Sequence, residues 1–117
     1  MKVMITVRGD CVSPRFDMSS EVIIATCYDR QLLEEPRSLI LSNVSAEVIC
    51  DLVLREDIKV VVCGGIEEQH YQFLIWKDII VYDSVIGPHG KVLQLVLNNE
   101  LTPNTIVQKV ASREVVS

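Results

Sequence analysis

The run KVVVC from Lys59 to Cys63, stopped by Gly64-Gly65, constrains the fold more than any other stretch of this chain. A strand with one wet face alternates apolar and polar residues, whereas an unbroken β-branched run marks a strand covered on both faces. Ile79 to Tyr82 is a second such run. Between them lies IEEQHYQFLIWKD, with Glu67 and Glu68 in its first turn and Lys77 in its last, matching the helix dipole. Helical spacing puts Ile66, His70, Phe73 and Lys77 on one side. Two covered strands joined by a helix make a parallel βαβ unit with a right-handed crossover.

The rest of the chain fits around that unit. Met1 to Val7 reads as a strand ending at Arg8-Gly9-Asp10, Glu21 to Thr26 as a second, and Gln31 to Leu41 as a third in which Pro36 marks an edge, a bulge or an interruption. Ser45 can cap a helix over 45–57 whose apolar positions are Ile49, Leu52 and Val53. Gly87-Pro88 opens a last helix, with Pro88 at its first position and Val92, Leu95 and Val96 turned inward. Thr102-Pro103-Asn104 breaks the pattern. We therefore expect one domain over 1–102 and a tail over 103–117 that either docks as a short element or stays mobile. The order β-β-β-α-β-α-β-α predicts a three-layer α/β fold with a mixed five-stranded sheet.

A chain of 117 residues, 49% hydrophobic, supports a single sizeable core. Its formal charge of −5, with no basic stripe, argues against nucleic acid as a partner. The apolar run at the N-terminus is too short for a signal peptide and far short of the ~20 residues that span a bilayer, so the cytoplasm is the expected compartment.

Cysteines 11, 27, 50 and 63 show no CxxC spacing. Cys27, Cys50 and Cys63 lie in apolar runs and read as core thiols. Cys11 stands beyond a strand end in the polar stretch CVSPRFDMS, where it is either a reactive thiol or an incidental one. That stretch, Cys11 to Ser19, is longer than a hairpin turn requires.

Sheets of this kind bind ligands beyond the carboxyl ends of their strands. Three segments should meet there: the Cys11 to Ser19 loop, Gly64-Gly65 with Ile66 after it, and the loop from Asp83 to Gly90. The glycine pair reads equally as an approach for ligand to backbone amides or as a tight turn. Of the two histidines, His70 reads as a core-edge residue. His89, expected to be exposed near the loops, either completes a soft-metal set with Cys11 or is simply solvated. Asp10, Glu47, Asp51 and Asp83 raise the alternative of a Mg²⁺-dependent nuclease. Against it, the first strand carries no carboxylate. There is also no GxSxG elbow, and a protein-binding or regulatory module stays open.

The start MKVMITV, the loop Ser13-Pro14-Arg15-Phe16, the turn VVVCGGI from Val60 to Ile66 and the late VLNNEL from Val96 to Leu101 together resemble the dinitrogenase iron-molybdenum cofactor biosynthesis family. That family includes NifX-like proteins, the C-terminal region of NifB and the small molybdenum-copper orange protein. The resemblance covers roughly residues 1–102. It implies an RNase H-like fold and a non-catalytic role in binding, carrying or storing a metal-sulfur cluster or cofactor precursor, with cofactor-assembly proteins as partners.

Where the family has Ser-Pro-His-Phe followed by glycine, this chain has Arg15 and Asp17 in the histidine and glycine positions. A guanidinium has no lone pair to give a metal, but it can hold an anionic cluster through charge-assisted hydrogen bonds. The resemblance thus points to cofactor contact by Ser13, Arg15, Gly64, Gly65 and Ile66, with Cys11 and His89 as candidate metal ligands, and to Phe16 as the anchor of the loop.

Overall fold

Strand β1 (Lys2–Arg8) lies at the centre of the sheet in the computed structural model, which describes residues 1–108. On one side it pairs antiparallel with β3 (Glu21–Tyr28), with Met4 opposite Ile24. On the other it pairs parallel with β6 (Val60–Val62), and β6 with β7 (Ile80–Tyr82). The Gln31 to Leu41 stretch is interrupted at Pro36, as a residue without an amide proton favours: β4 (Gln31–Leu32) and β5 (Arg37–Ile40) both pair with β3. The meander and the parallel half share one mixed sheet, of seven strands rather than the five expected, because the third expected strand is split in two and a short strand is added after β1.

The three helices form where the pattern predicts, with shorter bounds. α1 is Ala46–Arg55, and the Ser45 hydroxyl accepts the Val48 N–H at 3.1 Å, closing its first turn. α2 is Glu68–Trp76 and α3 is His89–Leu97. Pro88 is the residue that caps α3, one position earlier than expected, with extended backbone at φ −63° and ψ 130°.

Strand alternation then divides the core. Met4, Ile24, Val61, Cys63 and Val81 face α1 and α2, packing against Ile49, Val53 and Leu74. Val3, Ile5, Val7, Val60 and Val62 face α3, packing against Val92, Val96 and Leu97. β6 is buried on both faces, which is why its sequence is unbroken. The chain is a three-layer α/β domain.

Two features depart from the plain loop and tail read in the sequence. Residues Cys11–Val12 form a short strand, β2, that folds back on β1 with Arg8 opposite Cys11. Residues Phe16–Met18 then make a single 3-10 turn. Past Leu101 the chain does dock as far as Val107, where Ile106 pairs parallel with Ile86. The remainder of the expected tail, 109–117, lies outside the described residues.

Candidate functional site

A cavity of about 660 Å³ opens beyond the carboxyl ends of β1, β6 and β7, within the range of small-ligand sites. All three expected segments reach it. Arg8, Cys11, Val12 and Pro14 line one side, Gly64 and Gly65 the floor, and the segment Ser84–Pro88 the other side, with Val107 closing it. Apart from the Arg8 guanidinium, the Cys11 thiol and the Ser84 hydroxyl, the side chains lining it are apolar.

The Cys11 to Ser19 loop is zipped onto the glycine turn by backbone hydrogen bonds. Gly65 N–H donates to Pro14 O and Phe16 N–H to Gly65 O, both at 2.8 Å. Gly64 permits this contact, because a Cβ there would collide with the carbonyls of Ser13 and Pro14. Gly65 therefore lines the cavity with its amide already spent on the loop. Phe16, fully buried against the α1 and α2 face, anchors the loop from below.

The polar side chains expected at the ligand are largely occupied within the loop. Ser13 is buried, and its hydroxyl donates to Arg15 O at 3.2 Å, where the Ser19 hydroxyl also donates at 2.6 Å. The Arg15 guanidinium grips the Asp17 carboxylate through Nε at 3.1 Å and Nη2 at 2.8 Å. Neither Ser13 nor Arg15 is among the residues lining the cavity, and Ile66 packs instead against the core beneath α1 and α2.

Cys11 and His89 are brought close through backbone pairing. Cys11 bridges Pro88, and His89 N–H donates to Asp10 O at 2.9 Å. Cys11 lines the cavity, whereas His89 is half-buried rather than exposed and does not line it. His70, on the other face, is half-buried as expected, with Nε2 3.6 Å from a Glu67 oxygen and its ring centroid 6.3 Å from that of Phe16. Among the described residues no three His, Cys, Asp or Glu side chains converge as a metal-binding group. Glu47 and Asp51 share α1, where Asp51 pairs with Arg55, so the carboxylates weighed for a nuclease do not assemble.

Burial separates the thiols chemically. Desolvation pushes Cys63 up to about 12 and Cys50 up to about 11, with the nearby carboxylates of Asp83 and Glu47 adding to each, and burial also raises Cys27. These are inert core groups at neutral pH.

Sequence reasoning missed Arg8 and Val107. Arg8 was legible in principle, as a cation at the carboxyl end of the central strand and so at the ligand edge of the sheet. Among the described residues it has no ion-pair partner. Val107 carries no such signal, since it follows the breaker cluster.

Three solved structures share this arrangement of elements. The crystal structure of the protein PH0822 superposes with a TM-score of 0.79 at 17% identity, covering 89% of this chain and 95% of its own. A candidate dinitrogenase from Methanocaldococcus jannaschii gives 0.70 at 22% identity over 87% and 92% of the two chains. A candidate NifB protein from Thermotoga gives 0.66 at 12% identity over 93% and 97%. This chain has their fold. No protein-family model matches the sequence, and no curated protein does. The fold is thus shared with structures carrying the dinitrogenase and NifB names. Among the described residues no helix is long and apolar enough to cross a membrane.

Proposed function

We propose that this protein is a non-catalytic binder that carries or stores an anionic metal-sulfur cluster, as cargo of the kind handled in iron-molybdenum cofactor assembly, within the cytoplasm and in exchange with cofactor-assembly proteins. The observation that carries this reading is the cavity itself: mostly apolar walls around one cation, Arg8, and one thiol, Cys11. Apolar walls lower the local dielectric and strengthen the pull of Arg8 on an anion. A thiolate at Cys11 is a soft ligand suited to copper, iron or molybdenum-sulfide centres. The dinitrogenase and NifB names of the similar folds support the same cargo class.

The donor set suits a preassembled cluster better than a bare ion. One thiol cannot complete a coordination shell, whereas a cluster brings its own sulfides and needs charge, shape and one anchoring bond. Arg15 joins such a site only by giving up Asp17, and His89 only by turning toward Cys11. Gly64 and Gly65 contribute the shape of the floor.

Anaerobic titration of the protein with tetrathiomolybdate plus copper, and separately with an iron-sulfur cofactor precursor, tests the reading through absorbance and metal analysis after desalting. Retention of either cargo is expected, with Arg8→Ala weakening it about tenfold or more, the worth of one charge-assisted contact. Retention of neither by wild type ends the carrier reading. A protein-binding module then takes its place, favoured by Trp76, which is 74% exposed on the outer end of α2 with the Lys77 ammonium 4.8 Å from its ring.

A further inference from the structure

Part of the cavity wall, at Val107, comes from the stretch of chain that the sequence pattern leaves unassigned. The segment Thr102–Val107 is held to the Asp83–Gly87 loop by three backbone hydrogen bonds. Asn104 N–H donates to Asp83 O at 3.0 Å, Ile86 N–H to Thr105 O at 2.9 Å, and Val107 N–H to Ile86 O at 2.8 Å. The Thr105 hydroxyl donates back to Thr102 O at 2.6 Å, which stiffens the turn before the wall. No residue of the segment is charged, so it acts by shape.

Gly87 sets how close this wall stands. Its φ is +138°, a conformation that side chains rarely adopt, and a Cβ there would lie 2.5 Å from Val107 O and 2.8 Å from Val107 Cβ. Any other residue at 87 would force Val107 out of its present place. Arg8 and Cys11, the groups assigned to the cargo, line the same cavity, and Cys11 bridges Pro88 beside Gly87.

We propose that Val107, pressed against Gly87, is the size-selecting residue of this cavity: the Thr102–Val107 wall admits small anionic clusters to Cys11 and excludes larger ones. The selection takes its meaning from the carrier reading above, but the wall itself can be tested without any cargo. Cys11 is the natural reporter, because the other three thiols are buried.

The experiment compares the rates at which iodoacetamide and a maleimide bearing a polyethylene glycol chain label the native protein, followed by intact mass. Wild type should take one iodoacetamide readily and the bulky maleimide slowly. Val107→Gly should raise the bulky-reagent rate severalfold while leaving the small-reagent rate nearly unchanged, and Val107→Trp should lower both. Gly87→Ala should act like Val107→Gly. If Gly87→Ala labels at more than one cysteine it has lost its fold, and the two Val107 variants decide alone. Equal bulky-reagent rates in wild type and Val107→Gly overturn the proposal. Because no cluster enters this assay, a failed wall and a failed carrier are told apart.

Discussion

Arg15 and Asp17 form a two-toothed ion pair, 2.8 and 3.1 Å long, within the Cys11 to Ser19 loop. These are the two positions at which the loop departs from the family pattern it resembles, and the two departures satisfy each other. Arg15 is well exposed, so the pair itself adds little stability, up to about 1 kcal/mol. It bears on the proposed carrier role, because the Asp17 carboxylate already occupies the Arg15 guanidinium.

Asp17→Ala should therefore change the unfolding free energy by no more than about 1 kcal/mol while increasing retention of tetrathiomolybdate with copper. Competition binding on wild type, Asp17→Ala and Arg15→Ala reads this out. Unchanged retention in both variants would confine Arg15 to shaping the loop.

Gly64 and Gly90 should respond to alanine in opposite directions. At 64 the new Cβ meets backbone carbonyls that cannot swing away, so Gly64→Ala should cost about 1–3 kcal/mol, the usual range for an overpacked site. At 90, inside α3, nothing lies within 4 Å of the new atom, and alanine should stabilise by about 0.5–1 kcal/mol through helix propensity. Urea denaturation of the two variants checks the sign as well as the size.

Thr6, in the middle of β1, is fully buried and its Oγ1 has no hydrogen-bond partner among the described residues. An unpaired buried hydroxyl costs about 1–3 kcal/mol, and valine has nearly the same shape. Thr6→Val should accordingly raise the denaturation midpoint, and a lowered midpoint would falsify the assignment of that hydroxyl as unpaired.

The buried thiols predict an alkaline limit. Cys63 and Cys50 titrate near 12 and 11 in the folded chain, against an ordinary 9.0 when exposed by unfolding. Between those values the unfolded state has released protons that the folded state retains, so stability is intact below about pH 9 and falls as pH rises through 11 to 12. In a Cys63→Ala, Cys50→Ala double variant the loss of melting temperature between pH 8 and pH 10.5 should be smaller than in wild type.

At the acid end the sensitive group is Glu56, just after α1. Hydrogen bonds from Arg37 first, and then Lys2, hold its carboxylate below the usual range, tying together the start of β5, the start of β1 and the end of α1. A lowered carboxylate contributes stability that is present above its ordinary value of 4.5 and lost as pH falls through the folded value. Glu56→Gln should melt below wild type at pH 7, and the gap should narrow as the pH is taken below 4.5.

Much of this protein was legible in one dimension, because the pattern of burial is written in residue type. The continuous run Val60–Val62 pointed to cover on both faces, Pro36 to an edge, a bulge or an interruption, and Ser45 to a helix cap; the structure shows the cover, an interruption and the cap. The meeting of three loops at the carboxyl edge followed from the element order.

What only the tertiary structure decided is which groups face the cavity. That depends on how side chains compete for partners across the sequence. Arg15 is held by Asp17, Ser13 by the Arg15 carbonyl, and the Gly65 amide by Pro14, while Arg8, opposite Cys11 in the β1–β2 pairing, lines the cavity. Sequence alone pointed to the carboxyl edge of an α/β sheet, where the cavity lies. The packing of Val107 on Gly87, and of Pro14 on Gly64, decided its shape, because close approach of two backbones leaves no trace in hydrophobic pattern beyond a glycine.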